Sequence, residues 1–279
     1  PWMVFLLWII MGLGMSGIGL AVMHDANHGC YSKNKTTNRI LGFLLNFLGG
    51  YHKNWKIQHN ILHHTYTNID GFDEDLNAPV LRLSPEQKPK KAFRYQAYYA
   101  VLVYGVMTLF WATYKDFDQI IRYNRKKLLI KENLTFRKAL FSVIFHKIWY
   151  LVLIIVLPLI YVEVPWWQII LGFLLMHFVS GIILSLVFQS AHVVEETEFF
   201  HVSDEGTVEN NWAIHQMKTT ANFSRGNRML SWYVGGLNFQ VEHHLFPNIC
   251  HIHYKSLSHI VKSTAEEFGI PYNEHRTFM

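Results

Sequence analysis

The stretch WWQIILGFLLMHFVSGIILSLVFQSAH, Trp166–His192, contains no Asp, Glu, Lys or Arg and ends in a histidine. About 20 predominantly apolar residues are enough to cross the hydrocarbon core of a bilayer as a helix. Two other runs share this character: PWMVFLLWIIMGLGMSGIGLAVM (residues 1–23) and IWYLVLIIVLPLIYV (residues 148–162), the second preceded by further apolar residues. The sequence therefore predicts an all-α integral membrane protein.

Charged residues make up only 16% of the chain, against about 25% in typical soluble domains. The basic ones are concentrated at residues 33–39 and 115–147, whereas the turn YVEVPWW (161–167) has neither Lys nor Arg. Because cytoplasmic loops carry the excess of Lys and Arg, we expect both basic segments and the long C-terminal tail in the cytoplasm. The expected location is a bacterial plasma membrane, or the ER membrane in a eukaryote, with no nucleic-acid partner.

Two further apolar stretches need a separate interpretation. ILGFLLNFLGG (residues 40–50) is too short to cross a bilayer, so a re-entrant or interfacial position is expected. Residues 95–114 form a stretch that is long enough to cross a bilayer but is rich in Tyr. A single crossing there would put the two basic segments on opposite faces of the membrane. An interfacial or partly inserted helix is therefore preferred. We treat residues 1–279 as one membrane domain, with a truncated N-terminus because the sequence opens with Pro inside a span.

The histidines, seventeen in all, follow a pattern. HDANH (24–28), HNILHH (59–64) and QVEHH (240–244) each place imidazole or amide side chains three or four residues apart, and FQSAH (188–192) ends the last apolar run. Residues at this spacing share one helix face, so each motif can aim its side chains at one point. By the topology above, all four motifs lie on the cytoplasmic side. His215, in NWAIHQ, has no such spacing, and its role is left open.

These motifs indicate a metal site. Imidazole is the commonest metal ligand near neutral pH, and the eight histidines of the four motifs are too many for one ion, which argues for two metals. The chain has two cysteines and no CxxC, so neither a rubredoxin-type iron site nor a zinc ribbon can form. Imidazole sites suit Zn, Cu, Fe and Ni alike, so the residues alone leave the metal open.

In order and approximate spacing, HDANH, HNILHH and QVEHH resemble the three histidine boxes of the membrane fatty acid desaturases, over nearly the whole chain. The phrases WKIQHNILHHTYTN and LNFQVEHHLFP resemble the front-end and related acyl-lipid or acyl-CoA desaturases. The resemblance implies transmembrane helices with a cytoplasmic helical cap that holds a di-iron site. The ligands it implies are His24, His28, His59, His63, His64, His192, His243 and His244, with the contact of Gln240 left open.

The resemblance also implies supporting residues and a reaction. Asp25 and Glu242 lie inside the motifs and are candidates to orient imidazoles, with solvated helix-end carboxylates as the alternative. Gln189 is a third candidate, one residue from a position where stearoyl-type enzymes have Asn. With two iron ions and O2 as co-substrate, such enzymes insert a cis double bond into a fatty acyl chain on CoA or lipid. No catalytic side chain beyond the metal centre is implied.

Electrons for this reaction need a source. The HPGG motif of a fused cytochrome b5 domain is absent from this chain. A separate ferredoxin, rubredoxin or cytochrome b5 is therefore the expected donor, with a domain lost with the N-terminus as the alternative. The basic residues 122–131 are interpreted as part of the inside-positive topology, with docking of an acidic donor or substrate head group as the alternative.

Two other functions compete with desaturation. A hydroxylase or ketolase of the same histidine-box type would share the metal site. A metal-binding transporter would need ionisable residues along a path through the bilayer centre. The chain places its ionisable groups at one face instead, with His177 as the main exception within a span.

Overall fold

The computed structural model describes residues 2–76, 78–203 and 205–278, and these are mostly helical. The helices are α1 (Trp2–His28), α2 (Lys35–Phe43), α3 (residues 52–66), α4 (Lys91–Arg125), α5 (Phe136–Tyr161), α6 (Trp166–His192), α7 (Trp212–Thr219), α8 (Arg228–Tyr233), α9 (Gln240–Leu245) and α10 (Tyr254–Glu267). Short 3-10 turns cover Leu44–Leu48, Glu74–Leu76, Leu128–Glu132 and His251–His253. The two strands of the described residues, β1 (Asn222–Phe223) and β2 (Glu274–His275), pair in parallel.

Four of these helices, α1, α4, α5 and α6, are long and apolar enough to cross a membrane. The three uncharged runs predicted as spans lie in α1, α5 and α6, apart from Pro1, which is outside the described residues, and Val162, which follows α5. Small residues let α1 approach α6 closely: the Trp8 ring fills the space beside Gly172, and Ser16 hydrogen-bonds to Ser180 at 3.2 Å. Close packing through small residues is how helices associate in lipid, where burial of apolar surface contributes little.

α4 contains the Tyr-rich residues 95–114, for which an interfacial or partly inserted helix was expected. By length and composition it is a candidate span, yet its contacts do not run from one end of the bundle to the other. Gln96 shares a cleft with Val193, next to the end of α6, while Thr108 donates to the His177 carbonyl in the middle of α6. Arg122 pairs with Glu74, again near the histidine motifs. Both ends of α4 thus contact the histidine-bearing end.

A buried ion pair fixes α4 against α5. The Lys147 ammonium lies 2.5 Å from Asp116 Oδ2, and the same carboxylate accepts the Tyr51 backbone N–H at 3.0 Å. Asn54 donates to the Asp116 carbonyl at 2.9 Å. A buried charge is tolerated only when it is paired and hydrogen-bonded in this way. The pair therefore joins α5, α4 and the start of α3, the helix that carries the second histidine motif.

The shorter C-terminal helices form a cap over that end of the bundle. α9 carries the third motif, and it is held from behind by α7 and α10, whose buried side chains include Met217 and Val261. The segment after α10 returns to the cap, where β2 pairs with β1 in the register Asn222↔Glu274. The cap thus fixes α9 in front of the ends of α1 and α6.

Candidate metal centre

Eight histidines converge where α1 and α6 end. They are the histidines of the four motifs: His24, His28, His59, His63, His64, His192, His243 and His244. Two of the motifs lie in or directly after π-helical turns, Ile18–Met23 in α1 and Ile57–His63 in α3. Such turns occur frequently at functional sites because they shift the side-chain directions of an otherwise regular helix.

The ring nitrogens form two groups of the size that a metal ion requires, each within 4.8 Å. The first comes from His24, His28, His59 and His243, and the second from His63, His192 and His244. His64 lies between the groups: it is within the same distance of His243 and His244, and its ring centroid is 4.4 Å from that of His244. This arrangement suits two ions side by side.

The Nε2 atoms of His24 and His64 lie 3.0 and 3.3 Å from His59 Nε2, whereas other ring nitrogens of the cluster have no hydrogen-bond partner within the described chain. They are buried and accept or donate no hydrogen bond there: His28 Nε2, His63 Nε2, His64 Nδ1, His243 Nε2 and His244 Nε2. Leaving a buried polar atom unpaired costs about 1–3 kcal/mol, so a cluster of such atoms indicates a missing partner that binds lone pairs. The donor set, imidazole only, fits two divalent transition-metal ions.

The charge state of these rings is also suited to metal binding. Burial lowers the pKa of His64, His243 and His244 well below its usual value, and the neighbouring imidazoles lower it further. Burial and the neighbouring imidazoles likewise lower the pKa of His59 well below its usual value. Neutral imidazole is the form that binds a metal, so protons do not compete with metal at these rings near neutral pH.

The outward-facing nitrogens are held by side chains that the motifs did not reveal. Three pairs are clear: His63 Nδ1 with Asp73 Oδ1 (3.0 Å), His243 Nδ1 with the Tyr254 hydroxyl (3.2 Å), and His244 Nδ1 with Gln216 Oε1 (2.8 Å). A partner on the outer nitrogen fixes the tautomer and the ring orientation of a metal-binding histidine. Although burial disfavours the charged ring of His63, the carboxylates of Asp73 and Asp75 raise its pKa above the usual value.

The sequence proposed three supporting residues, Asp25, Gln189 and Glu242, and the structure places them in different surroundings. The Asp25 carboxylate accepts a 2.7 Å hydrogen bond from His251, and it lies 3.8 Å from His24 Nδ1. Gln189 lines the cavity beside the histidines.

The Glu242 carboxylate contacts a phenol and an amide rather than an imidazole. The Tyr272 hydroxyl donates to one of its oxygens at 2.9 Å and Asn222 Nδ2 to the other at 2.9 Å. The reason is helical geometry, because two residues of helix turn its side chain away from the face shared by Gln240 and His243. Glu242 instead ties α9 to the C-terminal segment.

The sequence left open the roles of two residues, Gln240 and His215. The Gln240 side chain is 5% exposed, borders the cavity and lies against His192. His215 belongs to neither histidine group, and its Nε2 is 2.7 Å from the Thr67 carbonyl. The residue after it, Gln216, is the one that reaches the cluster.

A cavity of about 440 Å³ opens beside the histidines. Its wall is largely apolar and comes from α1, α4, α6 and the loop before α4, with Leu20, Val103, Met107, Leu184, Val187 and Leu81 among the lining residues. His24, His59, His63 and His192 form its polar end. Two of the lining residues, Val80 and Val106, are about half exposed (52% and 48%), so the cavity reaches the protein surface there.

Comparisons with known proteins agree with this geometry. The sequence model of the family described as fatty acid desaturase matches residues 1–276. The chain is 37% identical over 274 residues to the sn-1 linoleoyl-lipid 6-desaturase of Synechocystis sp., covering 97% of this chain and 75% of that protein. It is 35% identical to the enzyme of the same name from Arthrospira platensis (99% and 74% covered), and 32% identical to the acyl-lipid (8-3)-desaturase of Physcomitrium patens (98% and 57% covered).

Proposed function

We propose a function from one premise: the chain belongs to the fatty acid desaturase family. Within that family we propose that it is an O2-dependent, di-iron acyl-lipid desaturase that inserts a cis double bond into a fatty acyl chain. The observation that carries the proposal is the pair of imidazole groups at the end of an apolar cavity. The catalytic site would lie on the cytoplasmic face of a multi-pass membrane protein.

The proposed metal ligands divide between two irons. One would be held by His24, His28, His59 and His243, and the other by His63, His192 and His244, with His64 close to both and Gln240 beside the second. When bound, the irons supply the oxidising chemistry that removes hydrogen from an unactivated methylene. The part played by Asp73, Gln216 and Tyr254 is to hold the rings, because each contacts a ring nitrogen on the side away from the groups.

The cavity explains how one methylene is chosen among many that are chemically alike. Its apolar wall would exclude water and hold an extended hydrocarbon chain by contact, so that the reacting carbons would lie against the histidine cluster. A volume of about 440 Å³ is in the range of small-molecule sites. Val80 and Val106 at the opening are apolar and about half exposed, which suits a chain that would be delivered from lipid.

The electrons would come from a separate donor, either ferredoxin, rubredoxin or cytochrome b5. Two alternatives, a hydroxylase or ketolase and a metal transporter, are supported by no specific feature of the cavity or the cluster.

The test is expression in a host whose lipids lack polyunsaturated chains, followed by mass spectrometry of double-bond positions and iron analysis of the purified protein. We expect a new double bond and close to two irons per chain. His243→Ala, which removes a ring from the first group, should abolish the product. His259→Ala is the matched control, since His259 is exposed on α10 and belongs to neither group. Zinc in place of iron, or product from His243→Ala, would contradict the proposal.

A further inference from the structure

One charged side chain in the cavity wall has no part in the metal centre. Among the described lining residues, Lys115 is the only one that carries an ammonium or guanidinium group. It ends the π-helical turn Trp111–Lys115, and its Nζ lies 5.2 Å from the centroid of the Trp111 ring. A cation within an apolar wall is costly unless something compensates it. The Trp111 ring and the nearby carboxylates of Asp75, Asp116 and Glu74 compensate part of this cost.

The carboxylates near Lys115 already have other partners. Glu74 pairs with Arg122, and Asp116 pairs with Lys147. Asp75 accepts a hydrogen bond from Gln58. No described carboxylate lies within ion-pair distance of the Lys115 ammonium, and no described acceptor takes a hydrogen bond from it. The ammonium therefore remains available to a molecule inside the cavity.

The location of Lys115 indicates which part of an acyl substrate it would contact. Lys115 lines the cavity together with Asp75 and interacts electrostatically with it, and Asp75 Oδ2 lies 3.6 Å from His59 Nδ1. The ammonium is thus close to the metal end of the cavity, whereas the rest of the wall is suited to methylenes. An acyl chain in ester linkage has one strong acceptor at its head, the carbonyl oxygen, and an ammonium is a matching donor.

We propose that Lys115 donates a hydrogen bond to the carbonyl oxygen at the head of the acyl chain, and so sets the position of the new double bond by its distance from that carbonyl. The inference rests on the proposed function. Lys115 is a positioning residue in this proposal: it contacts the substrate head and leaves the oxidation to the metals. The substrate class that follows is an acyl ester whose carbonyl enters the cavity.

A different explanation would make Lys115 a structural counter-ion for Glu74 and Asp75. Three variants separate the two. Lys115→Met removes the charge and keeps the length, and Lys115→Arg keeps the charge. Lys126→Met is the matched control: Lys126 lies 3.9 Å from Glu74 and does not line the cavity. Each is measured for double-bond position on acyl chains of two lengths, for conversion, for iron content and for thermal stability.

With the wild-type protein we expect one double-bond position, constant when counted from the carbonyl, for both chain lengths. Lys115→Met should lose about 10- to 100-fold in conversion, the size expected for a hydrogen bond to a charged group, and its products should spread over neighbouring positions. Its iron content should match the wild type. Lys115→Arg should recover most of the positional selectivity, and Lys126→Met should behave as wild type.

Two results would overturn the inference. One is Lys115→Met with unchanged conversion and position. The other is Lys115→Met that loses iron and thermal stability while the remaining product keeps its position, as a structural counter-ion would predict. These failures are distinct from failure of the proposed function, in which the wild-type protein itself makes no double bond.

Discussion

Substitution of Asp73 by Asn tests whether the outer partners of the histidines control metal binding. Asp73 is 3% exposed, and its two oxygens are 3.0 and 3.1 Å from His63 Nδ1. The same oxygens accept the backbone N–H groups of Asn68 and Asp75, each at 2.9 Å. An amide has one acceptor oxygen where the carboxylate has two. Asp73→Asn therefore keeps the shape of the side chain but places an NH2 group opposite one of the N–H donors that the carboxylate accepts.

The size of the effect follows from these contacts. A hydrogen bond to a charged group contributes about 1.5–3 kcal/mol, and about 1.4 kcal/mol corresponds to a tenfold change in an equilibrium constant. Loss of the bond that orients His63 should therefore weaken iron binding about 10- to 100-fold, the range typical of partners behind metal ligands. The other histidine group, which Asp73 does not contact, should keep its affinity.

The assay is iron retention against a competing chelator, followed for both iron equivalents. Asp73→Asn should shift the release of one equivalent and leave the other near its wild-type position. Asp70→Asn is the control, because Asp70 lies in the same loop and makes no ion pair with a described residue. If Asp73→Asn changes neither release step by more than about threefold, or both steps equally, the outer partner of His63 does not tune its metal.

Two further results are expected. Gly181→Ala should destabilise the protein in detergent by about 1–3 kcal/mol, the usual cost of overpacking, because the new Cβ would meet the Tyr104 carbonyl oxygen of α4 at 2.4 Å. Gly14→Ala, which meets nothing within 4 Å, should leave the melting temperature unchanged, and equal melting of both variants would contradict this packing. Removal of iron by a chelator should lower the melting temperature, and added Fe2+ should restore it; about 2.7 kcal/mol is expected at a hundredfold excess over Kd. An apo protein as stable as the loaded one would show that iron does not occupy the native site.

The convergence of the histidines was predictable because spacing within a motif reports a shared helix face. His24 with His28, and Gln240 with His243, needed only the helical repeat to be recognised. The same rule places Glu242 on another face, where its carboxylate contacts Tyr272 and Asn222.

The outer partners could not be found in this way, because Gln216 and Tyr254 lie on other helices and reach the site only through tertiary packing. For Asp73 a signal did exist: the acidic segment FDEDL (residues 72–76) begins eight residues after the end of the second motif. The path of α4 through the protein also could not be predicted from composition. Its length satisfies a span, and only its contacts at Gln96 and Arg122 reveal that both ends meet the histidine-bearing end.

The order in which the chain is synthesised determines when each histidine group can be completed. Both groups need α9, whose His243 and His244 come near the end of the chain. The second also needs His192, at the end of the last long helix. Under the proposed function, neither iron would therefore acquire its full set of imidazoles before α9 has been made. Metal loading would then be a late event, and the amount of bound iron would report how many chains have completed their fold.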